Sequence, residues 1–302
     1  MPLRTFWIIL YLAFFGGAIG VLGKFALPAL RPETLIFVRL AISIACFAAV
    51  LCWQKKFGDA LRALREHFFI FCALAASGIG GGMILGFIGL SQTTAINYDL
   101  LFNMSALFIV GFSMLLLKEP LRARDALLLL LALFGALLIT TNGFALTPTA
   151  INWRGDLLVL CGAIGWALYS VLGPRFARAH SDVDPITILF NTFVVGALFL
   201  LPYVLGRGGF TPSLLDFRTT IAALALGIFS TAILFYLWLE FVRTSTGLLG
   251  SFVTLGENIS GFILPILFLG EQPGLAIWIG SALIVGAIIF KKKSIASQPS
   301  LP

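Results

Sequence analysis

The chain has 302 residues, 60% of them hydrophobic and 11% charged, with a net charge of +7 and a mean hydropathy of +1.04. A soluble domain keeps about a quarter of its residues charged, so this composition excludes a water-soluble globule and makes the lipid bilayer the solvent for much of the surface. The basic residues sit in short clusters between apolar runs, without the basic and aromatic interleaving of a nucleic-acid surface, which excludes nucleic acid as a partner.

A membrane span needs about 20 apolar residues. Ten such runs follow one another, at 6–25, 33–53, 68–90, 95–117, 125–141, 155–175, 185–205, 219–240, 246–268 and 274–290. The predicted fold class is an all-α integral membrane protein with ten transmembrane helices. Arg4 ahead of the run from Phe6 resembles the start of a signal peptide, but no small-x-small cleavage site follows, so this run is expected to remain as the first helix. The connections are short and carry turn residues, as in Pro28 and Pro32, Lys55-Lys56-Phe57-Gly58-Asp59, and Asn142-Gly143. The polar tail 294–302 is expected to be disordered. With the N-terminus in the cytoplasm, roughly fourteen basic residues fall on the cytoplasmic side, against Arg31, Arg154, Arg207 and Arg218 outside. Both termini are therefore predicted to be cytoplasmic, in the inner (plasma) membrane.

The two halves echo each other. Gly17-Ala18-Ile19-Gly20 returns as Gly162-Ala163-Ile164-Gly165, Lys118-Glu119-Pro120 as Gly270-Glu271-Gln272-Pro273, Pro32 as Pro185, and Gly135 as Gly286. The consistent order predicts a duplication, with one five-helix repeat over 1–147 and a second over 148–293. Five is an odd number, so the second copy is expected to sit inverted in the bilayer, an arrangement that places a substrate site near mid-membrane between the copies.

Ionisable groups inside hydrocarbon cost several kcal/mol and so mark candidate sites. Glu257 lies halfway along the ninth run, where it either binds a substrate amine, takes up a proton or makes a structural hydrogen bond. Arg39 lies two turns into the second run, as an anchor for a substrate carboxylate or a partner for another helix. Lys24 ends the first run, as a site residue or a side chain reaching to the interface. Asp99 and Asn103 share one helix face at a polar opening with Asn97 and Tyr98, either lining a site or capping the helix. Trp166 and Tyr169 share a face of the sixth run, either lining a cavity or packing between helices. Glu119 and Glu271 read as capping and loop-anchoring groups, and Glu240 with Arg243 as a local pair. Gly78, Gly82 and Gly86 form a stripe for close helix packing. Cys46, Cys52, Cys72 and Cys161 lack metal-ligand spacing and read as small buried hydrophobes, while His67 and His180 fall in polar loops. No cofactor and no metal are expected.

Several segments together resemble the drug/metabolite transporter superfamily, in particular its EamA-type members. They are Gly155-Asp156-Leu157-Leu158 with Gly165-Trp166-Ala167-Leu168-Tyr169, and Leu226-Gly227-Ile228-Phe229-Ser230-Thr231 with Phe235-Tyr236-Leu237-Trp238. Leu255-Gly256-Glu257-Asn258 ahead of Leu269-Gly270-Glu271 is a third, and Lys24, Pro32 and Arg39 in the first half a fourth. Asn258 and Ser105-Ala106 stand where the family often has proline. The resemblance runs from about residue 6 to 290. It implies a ten-helix carrier working by alternating access, often exporting amino acids or related small molecules, with the proton as a candidate coupling partner. The competing class is a membrane enzyme such as a lipid-modifying transferase. It would need clustered acids or a His-Asp pair at the interface, and the sequence offers neither.

Overall fold

A computed structural model describes residues 3–117, part of 127–139, and 153–296 apart from 181, 207–215 and 245–246. Among the described residues the regular structure is entirely helical. Among the described residues six helices are long and apolar enough to cross a bilayer. They are α1 (Leu3–Ala26), α2 (Pro32–Trp53), α4 (Phe68–Gln92), α7 (Trp153–Ala179), α8 (Pro185–Gly206) and α9 (Phe217–Phe241). The short α3 (Phe57–Glu66) lies between α2 and α4. Further apolar helices are α5 (Ala95–Phe102), α6 (Ser105–Leu117), α10 (Gly247–Leu269) and α11 (Leu275–Ala296). The fifth expected run is only partly described, and Lys118-Glu119-Pro120 and Asn142-Gly143 lie outside the described residues.

Helix ends follow local chemistry. Pro32 occupies the first turn of α2 after an extended Arg31, where its missing N–H costs nothing. Gly270 adopts φ +66° directly after α10, the left-handed conformation that terminates a helix without strain. Asp216 caps α9, and hydrogen bonds from Thr219 hold its carboxyl below the usual range.

Three expectations are corrected. The connection at 54–67 is not a simple loop. It holds α3, with Asp59 in its first turn, Arg65 in its last and Ala60 and Ala63 buried, which suits both the helix dipole and an amphipathic surface helix. The fourth run is broken at Asn103 and Met104 into α5 and α6. The helix α11 continues to Ala296, three residues into the segment expected to be disordered.

Small residues let the helices cross closely. A Cβ added at Gly81 would lie 2.9 Å from the Gly165 Cα, and one at Gly162 2.9 Å from the Gly86 nitrogen, so α4 and α7 meet backbone to backbone. Gly78 and Gly82 belong to the same seam, facing Tyr169 and Trp166. On the other side of the bundle Gly16 and Gly17 of α1 meet Glu257, Ser260 and Gly261 of α10, and Ser260 Oγ donates to the Ala13 carbonyl at 2.5 Å. Both copies of the Gly-Ala-Ile-Gly motif thus serve close crossings. The cysteines depart from expectation. Cys46, Cys72 and Cys161 are half-buried and Cys52 is exposed, because a thiol facing hydrocarbon leaves an environment no more polar than a protein core.

The helix ends gather into two layers. At one end Lys56 pairs with Asp184 at 3.3 Å, and the His67 and His180 rings meet at 4.4 Å. At the other, Glu271 accepts hydrogen bonds from the Ala95 and Ile96 backbone N–H groups at 2.7 and 3.0 Å. There too Thr93 donates to Asp156, and Arg218 lies over Phe25 at 3.9 Å.

Candidate functional site

A cavity of about 110 Å³ opens between these layers. Its wall takes Gly16 and Ile19 from α1, Arg39 from α2, Met83 from α4, and Tyr98, Asp99 and Phe102 from α5. Asn103 at the break and Ser105, Ala106 and Ile109 of α6 continue it. Trp166 of α7, Leu234, Phe235 and Trp238 of α9, and Glu257 of α10 close it from the other half of the chain.

Two helix irregularities sit at this cavity. The α5–α6 break puts Asn103 on the wall, and α9 contains a π-helical segment at Ile228–Ile233 just ahead of Leu234 and Phe235. A second π-helical segment occupies Ala75–Leu85 of α4 and carries Met83. Such distortions in otherwise regular helices are frequent where a helix bends around a site.

Arg39 is 1% exposed. Its Nε donates to Thr231 Oγ1 at 3.0 Å and an Nη2 to the Ser230 carbonyl at 3.4 Å, while its guanidinium lies 4.8 Å from the centre of the Phe87 ring. Asp99 is 5% exposed and does not cap its helix, a role taken by Thr94, whose hydroxyl accepts the Asn97 N–H at 3.1 Å. Among the described residues the Asp99 Oδ2 is buried without a hydrogen-bond partner, which in a native interior asks for an explanation. Backbone comes close on both sides of it. A Cβ at Gly20 would lie 2.7 Å from this oxygen, and one at Gly261 2.7 Å from the Asp99 Cβ. Glu257 faces the cavity against Gly16.

Trp166 forms the aromatic wall with Phe235 at 5.0 Å and Phe102 at 6.3 Å between ring centres. Tyr169 does not line the cavity. It stacks behind Trp166 at 5.2 Å and packs against Gly78, because a spacing of three residues fixes a helix face but not the depth at which the cavity ends. Lys24 is also off the cavity, one turn beyond Gly20, where the acid within electrostatic reach is Glu271. Glu271 is the capping and anchoring group expected of it, on α5. Glu119 and the Arg243 side chain lie outside the described residues.

Sequence reasoning placed Tyr98 in the polar opening beside Asp99, but did not single out Phe102, Phe235 and Trp238 as site residues, although the last two stand in a motif that carried the family resemblance. It also named Asn97 without its buried partners Asp156 and Thr93, and passed over the Ser43, Ser230 and Thr231 contacts. The one available signal was hydroxyl and amide groups inside apolar runs.

The arrangement can hold a small molecule that carries charge of both signs beside an apolar or aromatic group. An engineered cavity of ~150 Å³ accepts benzene, so this smaller one fits a compact ligand and must widen for a large ring.

Comparison with known proteins agrees with this architecture. A solved crystal structure matches with a TM-score of 0.68 at 22% identity, covering 98% of this chain and 99% of that one. The uncharacterized transporter YyaM of Bacillus subtilis is 29% identical, over 78% of this chain and 76% of its own length. A transporter of Archaeoglobus fulgidus is 27% identical, over 71% of this chain and 72% of its own. The aromatic amino acid exporter YddG of Ancylobacter novellus is 31% identical over 60% of this chain and 61% of its length. The EamA-like transporter family matches twice, at residues 3–141 and 153–291. The chain is therefore a multi-pass membrane protein built from two such domains, and it belongs to the EamA-like transporter family.

Proposed function

We propose that the protein is a secondary carrier that moves an amino acid or related small metabolite across the inner membrane by alternating access, in the export direction. The observation that carries this reading is the single cavity in which Arg39, Asp99 and Glu257 meet beside an aromatic wall drawn from both family domains. A zwitterion needs one cationic and one anionic contact, and charges held in low dielectric discriminate strongly because water is not there to replace them. The name of the relative from Ancylobacter novellus points the same way. In this assignment Arg39 takes the carboxylate, Asp99 and Glu257 take the ammonium, and Asn103 and Trp166 complete the site.

The mechanical part rests on two inverted repeats of five helices with cytoplasmic termini. It is supported by the ends of the helices, since α1 finishes with Phe25 in the layer where α7 begins with Asp156, and so the two run in opposite senses. One repeat then rocks against the other about the glycine crossings, exposing the cavity to each side in turn.

Uptake of labelled amino acids into proteoliposomes, with and without a pH gradient, tests the proposal. Wild type is expected to show saturable flux, and Glu257→Gln to reduce it by about ten-fold or more, the loss typical of a hydrogen bond to a charged group. Gradient-driven flux that Glu257→Gln makes insensitive to pH identifies proton exchange through this residue. Absence of saturable flux for every amino acid in wild type rules out the assigned substrate class.

A further inference from the structure

Arg39 presents an electrostatic problem that the fold leaves open. A guanidinium buried in the middle of a bilayer is expensive unless an anion compensates it. Yet among the described residues no carboxylate lies within ion-pair distance of Arg39, and its contacts are a hydroxyl, a carbonyl and a ring. Described residues engage two of the five N–H donors of the guanidinium, and the residue lines the cavity.

The group that holds Arg39 is itself held in an unusual way. The Thr231 hydroxyl accepts from Arg39 Nε and donates to the Leu226 carbonyl at 2.5 Å, five residues back, which the π-helical turn brings into reach. The same turn is tied to its neighbours. Ser43 Oγ donates to the Gly227 carbonyl at 2.8 Å, Tyr11 to the Phe229 carbonyl at 2.9 Å, and Ser230 Oγ to the Phe15 carbonyl at 3.1 Å. Thr231 is thus an oxygen of fixed position whose donor is already committed, so only its acceptor face is left for Arg39.

We propose that Thr231 is the positioning residue that fixes Arg39 on the cavity wall as the docking point for the carboxylate of the substrate. Because Thr231 and Phe87 are uncharged, they orient the guanidinium without neutralising it, and the charge stays available to an incoming anion. An acid in the place of Thr231 would satisfy Arg39 and close the site to substrate. The inference deepens the carrier reading and rests on it for the identity of the anion, but the holding geometry has a readout of its own.

The test uses the full chain with Thr231→Val, which removes the hydroxyl at nearly constant volume, and Thr231→Ser, which keeps it. Ser43→Ala serves as a control that weakens the α2–α9 contact and reaches Arg39 only at its backbone carbonyl, leaving the contacts of the guanidinium in place. The first readout is the rate at which phenylglyoxal modifies Arg39 in detergent, followed by peptide mass spectrometry. The second is proteoliposome transport of phenylalanine against phenethylamine, the same molecule without its carboxylate. Thr231→Val is expected to raise both the Arg39 modification rate and the KM for phenylalanine by about ten-fold. It should leave Vmax and phenethylamine transport unchanged, with Thr231→Ser behaving as wild type. Unchanged Arg39 reactivity in Thr231→Val overturns the proposal. So does an equal rise in Ser43→Ala, which would trace the effect to loosened helices. A rise confined to Thr231→Val in a protein that transports neither compound supports the positioning role and overturns the substrate reading alone.

Discussion

A hydrogen in place of a methyl group sets how close α1 and α10 come to Asp99. At Gly20 the helix itself would prefer alanine by about 1 kcal/mol, but that methyl would meet the Asp99 Oδ2 at 2.7 Å. The carboxylate is the softer partner, so it should yield and swing away from its present place on the cavity wall. Gly20→Ala is therefore expected to keep or slightly raise the unfolding midpoint in detergent while weakening substrate binding by about ten-fold. Binding equal to wild type would show that Asp99 does not touch the substrate. Asp99, Asn103, Arg39 and Glu257 were legible in the sequence because a charge or amide in an apolar run stands out against its neighbours. Phe102, Phe235 and Trp238 were not, since aromatic residues make up 13% of this chain and supply no such contrast. Lys24 and Tyr169 show the limit from the other side, where residue type and spacing pointed to a site that lies one turn or one packing layer away.

Single contacts also decide whether whole helices hold their ends. The helix α5 begins with two caps, one from its own Thr94 and one from Glu271, which lies 175 residues further along the chain from Ile96. At the border of the bilayer water replaces a lost acceptor only in part, so the Ala95 and Ile96 N–H groups lean on that carboxylate. Glu271→Ala is expected to cost about 2–4 kcal/mol, two charge-assisted hydrogen bonds partly recovered by interfacial water. Glu271→Gln should retain about half of the loss, as read from denaturation in detergent micelles. Equal stability of wild type and Glu271→Ala would show that the cap forms only in some conformations of the bundle. Helix positions were largely legible, because runs of apolar residues at bilayer length leave few alternatives. The α5–α6 break and the π-helical turns were not, and in α9 the turn lies where side chains from other helices, Arg39, Ser43 and Tyr11, claim backbone carbonyls. The helix α3 was missed for a different reason, namely that polar residues between two spans read as a loop until their 3.6-residue periodicity is weighed.

Across the whole molecule, the two family domains pack in matching ways. The helix α1 lies against α9 and α10, as α7 lies against α4 and the α5–α6 pair, while α2 pairs with α8. The crossings that carry these contacts use the two copies of the same glycine motif. This reciprocity was legible in the sequence only as short matches in consistent order, because glycines and small residues are all that such crossings require. It also makes a geometric statement about sides. The layer holding Lys56, His67, His180 and Asp184 is the one the basic residues assign to the cytoplasm, and the layer holding Glu271, Thr93 and Asp156 is assigned to the outside. Asp59 on α3 and Gln272 after α10 are exposed in the two opposite layers. In a background with all four native cysteines replaced, Gln272→Cys is expected to react with a membrane-impermeant maleimide in intact cells, and Asp59→Cys only after permeabilisation. The reverse pattern would turn the protein over and place both termini outside. Labelling of both in intact cells would mean that the two layers do not lie on opposite sides of one membrane, and with that the alternating exposure of the central cavity would lose its physical basis.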